Sequence, residues 1–386
     1  MKEQIIIQNF GPLKNIKLDI RQFTVLIGES AIGKSTLMKI VSMMRYIYKM
    51  ANIRSYLKLS KITSSPFRMR FESMINQSGL QSMLTQETNI KYTVSLKSGN
   101  SYSISVSEKK LSVLPNIKKE DLVFIKNSFV SENRNVLPMW IEKASLNAGA
   151  TLGFYFHETL KDFSRLSEND HIIDLSYVNF NLRVSHPKGK PTKYLLEHHT
   201  DHKLKLDLKE ASSGIQTSAP LVLIVNHFSN DYSFKDAFNR SVLNYLHDVD
   251  LLTKFKAITE PSELKNHIYI HIEEPELSLF PDAQCKLIDN MIYTATHAQT
   301  DRQVNLMLAT HSPYILNYLN IILNQTSESK AKLSHNKLAV YRIYDGQICN
   351  LLVQDENKKY LVDTYDLTEM METIFNEYNQ LNSVSQ

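Results

Sequence analysis

The period of apolar and polar positions changes several times along this chain, and each change marks an element. Phe23-Thr24-Val25-Leu26-Ile27 is a continuous apolar run, the pattern of a strand buried on both faces. Ile268–Ile272 and Leu306–Ala309 repeat it. Strict alternation appears at Ile90, Tyr92, Val94 and Leu96, and again at Tyr102, Ile104 and Val106. Ser98-Gly99-Asn100 lies between these two runs, so a hairpin is predicted over 88–113. Residues 4–8 and 16–27 read as opening strands, and 171–209 return to strand patterns around Pro187-Lys188-Gly189-Lys190-Pro191. Helical periodicity predicts helices from Thr36 to about Met50, from Thr217 to about Phe228, over Pro313–Asn324 and over Leu367–Leu381. Between Ser229 and Asn266, the residues Phe234, Phe238, Val242, Tyr245, Leu246 and Val249 recur at helical spacing. Residues 119–170 read as helical and mixed, with the lone Trp140 as a core or interface anchor. A polar loop (Gln325–Asn336) and a hairpin (Leu338–Leu352) follow the Pro313 helix.

The first strand-to-helix change carries chemistry. Residues 28–36 read Gly28-Glu29-Ser30-Ala31-Ile32-Gly33-Lys34-Ser35-Thr36, the pattern Gly-x4-Gly-Lys-Ser, placed where an apolar strand ends and a helix begins. In that context the backbone N–H groups of a curled loop cradle phosphate oxygens, and the helix aims its positive end at the same anion. Lys34 is predicted to reach the β and γ phosphates, and the Ser35 hydroxyl to hold Mg²⁺.

Three further elements refine the picture. Ile268–Ile272 runs into Glu273-Glu274-Pro275-Glu276, an apolar strand delivering carboxylates at its end. Glu273 is the predicted Mg²⁺ ligand, and Glu274 the residue that polarises an attacking water. Leu306–Thr310 is followed by His311, which a parallel sheet brings to the same edge as the phosphate loop, within reach of a γ-phosphate. Ser212-Ser213-Gly214 opens an apolar helix, offering hydroxyls and free N–H groups to an anion.

Composition changes little. The 386 residues are 42% hydrophobic and 22% charged, with a net charge of +4. That charge is too mild to demand a nucleic-acid partner. No apolar run approaches membrane-spanning length, so no membrane is expected. The two cysteines, Cys285 and Cys349, lack metal-ligand spacing and fit a cytoplasmic protein with structural thiols. Basic stretches occur at Lys109-Lys110, Lys118-Lys119, 188–205 and 330–337; the 188–205 stretch is the best candidate for phosphate-backbone contact.

The order of phosphate loop, Ser-Ser-Gly signature, acidic strand and His resembles the ATP-binding-cassette superfamily. The likeness is closest to its soluble branch of SMC, RecF and OLD-type ATPase heads. Ile6-Ile7-Gln8-Asn9-Phe10-Gly11-Pro12-Leu13 and Glu274-Pro275-Glu276-Leu277-Ser278-Leu279-Phe280-Pro281 also look like that branch, and the resemblance covers about 1–50 and 205–320. It implies an α/β ATPase head with a mixed-sheet core, an antiparallel β subdomain and a helical lobe. One domain would then divide into a first nucleotide-binding part (1–115), a helical lobe with signature and insertion (116–260), and a second nucleotide-binding part (261–386). The implied activity is hydrolysis of ATP with Mg²⁺. The implied assembly is a head-to-tail dimer or higher oligomer, each ATP lying between Gly28–Thr36 of one chain and Ser212–Gly214 of the other. Within the branch the chain looks most like small ATPases encoded beside effector genes in bacterial anti-phage systems, such as Septu-like and retron-associated ATPases. That would make a separate nuclease or toxin its partner, with nucleic acid as a possible trigger.

Departures from the family pattern are visible. Ser30 stands where many relatives carry Asn, and Ala-Ser-Ser-Gly-Ile-Gln replaces Leu-Ser-Gly-Gly-Gln. No Q-loop glutamine is identifiable, and Ser229–Asn266 reads as an insertion. No sustained heptads separate loop from signature, and no Asp-x-Asp cluster follows His311, so neither coiled-coil arms nor a nuclease domain is expected. The alternatives are a RecF-like repair ATPase that binds duplex DNA, a transporter's nucleotide-binding subunit, and a degenerate head that binds ATP without hydrolysing it.

Overall fold

In the computed structural model the described residues are 1–62, 71–137, 171–188, 192–243, 250–259, 263–328, 330–365 and 373–380, with 155, 159–160, 162–163, 166 and 246–247. Trp140, Tyr245, Val249, Met370 and Met371 lie outside them.

The apolar runs become one six-stranded sheet. Its members are β3 (Phe23–Ile27), β7 (Val123–Val130), β12 (Lys265–Glu273), β13 (Arg302–Thr310), β14 (Leu338–Tyr344) and β15 (Gln347–Asn350), in the order β15-β14-β3-β13-β12-β7. Every neighbouring pair is parallel except β14 with β15. Parallel sheets are covered on both faces, which is why β3 is buried at every position and β12 at all but its first. The parallel pairing has the consequence that matters here: Ile27, Val130, Glu273 and Thr310 all end at one edge.

A second sheet holds the predicted hairpin. β1 (Lys2–Phe10) and β2 (Leu13–Ile20) join β4 (Leu84–Ser95), β5 (Ser101–Ser107) and β6 (Lys110–Leu111) in the order β2-β1-β4-β5-β6. The long helix α1 (Lys34–Leu59) contacts both sheets, and the short helix α2 (Phe71–Gln77) precedes β4. α1 runs well beyond the expected end near Met50 and is buried along most of its length. A third sheet, β11-β10-β9-β8, is antiparallel and comprises β8 (His171–Leu175), β9 (Phe180–Ser185), β10 (Lys193–His198) and β11 (Lys205–Asp207). Beyond the Leu338 hairpin, β16 (Leu352–Gln354) pairs with β17 (Tyr360–Val362).

Helices α3 (Ser213–Asn226), α4 (Phe234–Phe238), α5 (Pro281–Thr296) and α6 (Pro313–Asn324) complete the described elements used below. α6 has its expected bounds, because Ser312 caps it and Pro313 opens it. α3 begins earlier than Thr217, at the signature serine itself.

Two expectations need correction. The stretch 119–170 opens with only a single 3-10 turn (Lys119–Asp121) before β7, which is the edge strand of the main sheet beside β12. A helical lobe over 116–260 is therefore interrupted by β7 and by the whole β8–β11 sheet. The polar residues that obscured β7 have partners. Lys126 and Ser128 reach Asp162 at 2.5 and 2.6 Å, and Asn127 donates to the Ser42 carbonyl at 3.0 Å. Among its described residues the 229–266 insertion is helical only in part, with π-helical turns at His227–Asp231 and Asn239–Leu243 around α4. Phe234, Phe238, Val242 and Leu246 are buried, as their spacing implies. Over 373–380 the final segment is helical, and Ile374 and Phe375 are exposed.

Candidate functional site

The phosphate loop sits on two turns that fix its shape. A Cβ on Gly33 would lie 2.9 Å from Pro12 Cγ and Leu13 Cδ2, and Gly33 has φ 108. A Cβ on Gly28 would lie 2.7 Å from the Ile343 carbonyl. Glycine is required at both because backbone and packed side chains come that close. Ala31 adds a left-handed residue with φ 62, curling the loop. α1 starts immediately after Gly33 with no acidic residue in its first turn, so nothing local neutralises the positive helix end. Lys34 is buried, and its ammonium donates to the Gly28 and Glu29 carbonyls at 2.8 and 2.7 Å. Desolvation lowers its pKa, opposed by the nearby Glu274 and Glu276 carboxylates.

Glu273 ends β12 with its side chain buried. Desolvation pushes its carboxyl pKa up, against Lys39 and a hydrogen bond from the Ser35 hydroxyl. Glu273 Oε1 has no hydrogen-bond partner. A buried carboxylate oxygen left orphaned beside a hydroxyl is an unfavourable arrangement unless a cation completes it. No group of three or more His, Cys, Asp or Glu among the described residues could hold a metal by itself. Ser35 and Glu273 thus fit a Mg²⁺ ion that takes its remaining ligands from phosphate and water.

Glu274 adopts φ 44, and its N–H donates to the Ala309 carbonyl at 2.8 Å. That bond ties the end of β12 to the end of β13. The partly exposed Glu274 carboxylate lies 3.6 Å from His311 Nε2. Glu276 holds the other side of this junction: its Oε1 accepts the His311 backbone N–H at 2.6 Å, while its Oε2 is buried and unpartnered. The structure therefore brings Lys34, Ser35, Glu273, Glu274 and His311 together at one sheet edge.

The signature lies elsewhere on this edge and faces outward. Ser212 and Ser213 are exposed, and Ser212 caps α3 without using its side chain. Gly214 is buried against the turn after Glu276; a Cβ there would stand 2.6 Å from the Ser278 carbonyl. Thr217 Oγ1 donates to the Leu277 carbonyl at 2.8 Å.

A family model described as an AAA ATPase domain matches residues 156–316. The chain carries an ATPase domain. The matched segment spans the signature, Glu273, Glu274 and His311, and begins after the phosphate loop. No curated protein matches this sequence. Among solved structures, the SMC head domain from Thermotoga maritima aligns over 92% of this chain and 99% of that one, at 11% identity and a TM-score of 0.37. A likeness that distant adds nothing to the reading of the site. No helix among the described residues is long and apolar enough to cross a membrane.

Sequence reasoning missed two neighbours of the site. Glu132, in the turn after β7, gives its N–H to the Glu273 carboxylate. Arg134, fully buried, donates to the carbonyls of Ser131, Thr217, Glu273 and Glu274. Neither belongs to a motif. The only sequence signal was an arginine among the polar residues after a strand that went unrecognised. The 188–205 candidate fares differently: Arg183 and Lys205 both pair with Glu197, whose carboxyl they hold down to about 2.

Proposed function

We propose that this ATPase is a nucleotide-closed switch, two copies meeting head to tail around ATP. The observation that carries the reading is the half-built site. One sheet edge gathers the phosphate loop, Glu273, Glu274 and His311, while the signature serines of the same chain face solvent. A second copy would supply the missing hydroxyls. Bound Mg²⁺ would neutralise phosphate charge and fill the gap beside Glu273 Oε1. Lys34 would exchange its two loop carbonyls for phosphate oxygens. Glu274 would orient and polarise water, with His311 beside it steadying the γ-phosphate. Hydrolysis removes the contacts that hold the copies together, so the two states differ at their interface.

The readout in this proposal is control of a separate effector, a nuclease or toxin, in a cytoplasmic bacterial anti-phage system. The motif likeness to such ATPases supports it. Pairing of Lys205 with Glu197 weighs slightly against the RecF-like alternative, because it takes one cation of the 188–205 stretch away from a phosphate backbone.

Mixing two inactive variants tests the shared site. Ser213→Arg and Lys34→Ala chains, each nearly inactive alone, form heterodimers with one site carrying both lesions and one carrying neither. Partial recovery of ATP hydrolysis is expected. Verified heterodimers with no recovery would refute the shared site. The effector arm is tested by expressing the gene with its neighbours: a neighbouring product should co-purify, and its activity should follow nucleotide state.

A further inference from the structure

Arg134 is an unusual buried charge. It has no exposed surface, and each of its four bonds goes to a backbone carbonyl rather than a carboxylate. Nε donates to Thr217 O at 2.8 Å; Nη1 to Glu273 O at 2.7 Å and Ser131 O at 3.2 Å; Nη2 to Glu274 O at 2.6 Å. Three elements meet on one guanidinium: the turn after β7, the first turns of the signature helix α3, and the peptide joining Glu273 to Glu274. Burying a guanidinium without a direct ion pair is costly, so its retention calls for a reason beyond packing. Geometry supplies one. The planar fork reaches four carbonyls from donors spread over three nitrogens, whereas an ammonium has three donors on a single atom.

Two other contacts make the same junction. The Thr217 hydroxyl reaches Leu277 O, and Gly214 sits against Ser278 O with no room for a Cβ. The signature helix is thereby fixed to the turn that follows the catalytic carboxylate of its own chain. On the reading given above, that helix faces the partner's ATP while Glu274 serves the chain's own.

We propose that Arg134 is a positioning residue that locks the start of α3 to the Glu273–Glu274 peptide, so that engagement of the signature by one ATP sets the Glu274 carboxylate for the other. Its guanidinium is engaged by four backbone carbonyls, so it acts through the peptides it holds. It works by making two nucleotide sites mechanically one.

Arg134→Lys tests this, because it keeps the charge and gives up the fork. In the full-length chain, ATP affinity is expected within about threefold of wild type, with a cooperative melt, while kcat falls about 30-fold. A kcat within about threefold of wild type would overturn the proposal. Loss of ATP binding in the Lys34→Ala control reports on the site reading separately, so the two can fail independently. A double-mutant cycle with Ser213→Ala gives the second readout. If Arg134 acts through α3, the two losses in kcat combine to clearly less than their product; losses that multiply would refute the link. Should the lysine variant not melt cooperatively, native-state hydrogen exchange on wild-type protein asks the same question. Amides of 213–219 and 271–277 should open together as denaturant rises, and separate openings would refute the lock.

Discussion

Arg45 and Arg134 are both buried to the last few per cent of their surface, and they live in opposite electrostatic worlds. Arg45, on α1 beneath the sheet, faces Glu3 with bonds of 3.1 and 2.7 Å and stacks its guanidinium 4.0 Å from the Tyr269 ring. Tyr92 hydrogen-bonds the same carboxylate, and His271 lies 3.1 Å from Arg45 Nη1. Burial alone would lower the Arg45 pKa, but Glu3 outweighs it and the net shift is upward. At Arg134 desolvation wins, and the pKa is pushed down to about 10 although Glu276, Glu274, Glu273 and Glu132 pull the other way. Beneath the sheet, charges are matched and closed. At its edge they are held by carbonyls, or left unmatched like Glu273 Oε1. Unmatched groups are what a charged ligand can complete; matched ones are structure.

The contrast can be broken most directly at Lys34. Lys34→Ala should lower ATP affinity by about a thousandfold or more, since the phosphates lose the loop's cation, while the melting temperature stays close to wild type. Calorimetric titration measures it, and wild-type affinity would remove the phosphate-loop assignment. Beneath the sheet the opposite split is expected. Glu3→Gln leaves Arg45 charged and unpaired, costing about 3–5 kcal/mol in denaturant unfolding. Hydrolysis per folded molecule should remain within about threefold of wild type. A large change in kcat there would mean that the floor is not merely structural. Glu274→Gln should bind ATP, accumulate as the closed dimer and hydrolyse about a hundredfold more slowly. Normal turnover would shift the role of base to another residue, with Glu273 next.

The smallest effect is the most diagnostic of an unmatched charge. Because the Glu273 pKa is raised in the folded chain, the fold prefers its protonated form. Stability from this group is present at low pH and is lost as pH rises from the ordinary carboxylate range through the raised value. Glu273→Gln should therefore raise the melting temperature at neutral pH by about 1–3 °C and leave it unchanged below pH ~4, while Mg²⁺-dependent turnover disappears. A variant destabilised at neutral pH would show that the orphaned oxygen is satisfied after all.

What the chain discloses about itself follows a physical division. β3, β12, β13 and α6 were readable because buried parallel strands and capped helices leave local signatures. Phe23–Ile27 is uninterrupted, and Ser312-Pro313 is a helix start within two letters. The cluster of Lys34, Glu273, Glu274 and His311 was readable because strand order turns those signatures into a shared edge. β7 was not, since Lys126, Asn127 and Ser128 break its apolar run and are compensated by Asp162 and Ser42, both distant in sequence. Arg134 was hidden for a related reason. Its partners are carbonyl groups, which every residue carries, so no pattern of side chains can announce them.

The position of β3 also bears on how the protein is made. Phe23 pairs with Leu306 on one side and Leu338 on the other, roughly 300 positions later in the chain. During synthesis the loop that reads as a nucleotide site emerges well before the two strands that flank β3. Until β14 has been translated, Gly28 has no Ile343 carbonyl to rest against. A ribosome-bound nascent chain would then carry the motif without its shape. The capacity to bind nucleotide would arrive abruptly once β14 has emerged and the sheet closes around β3.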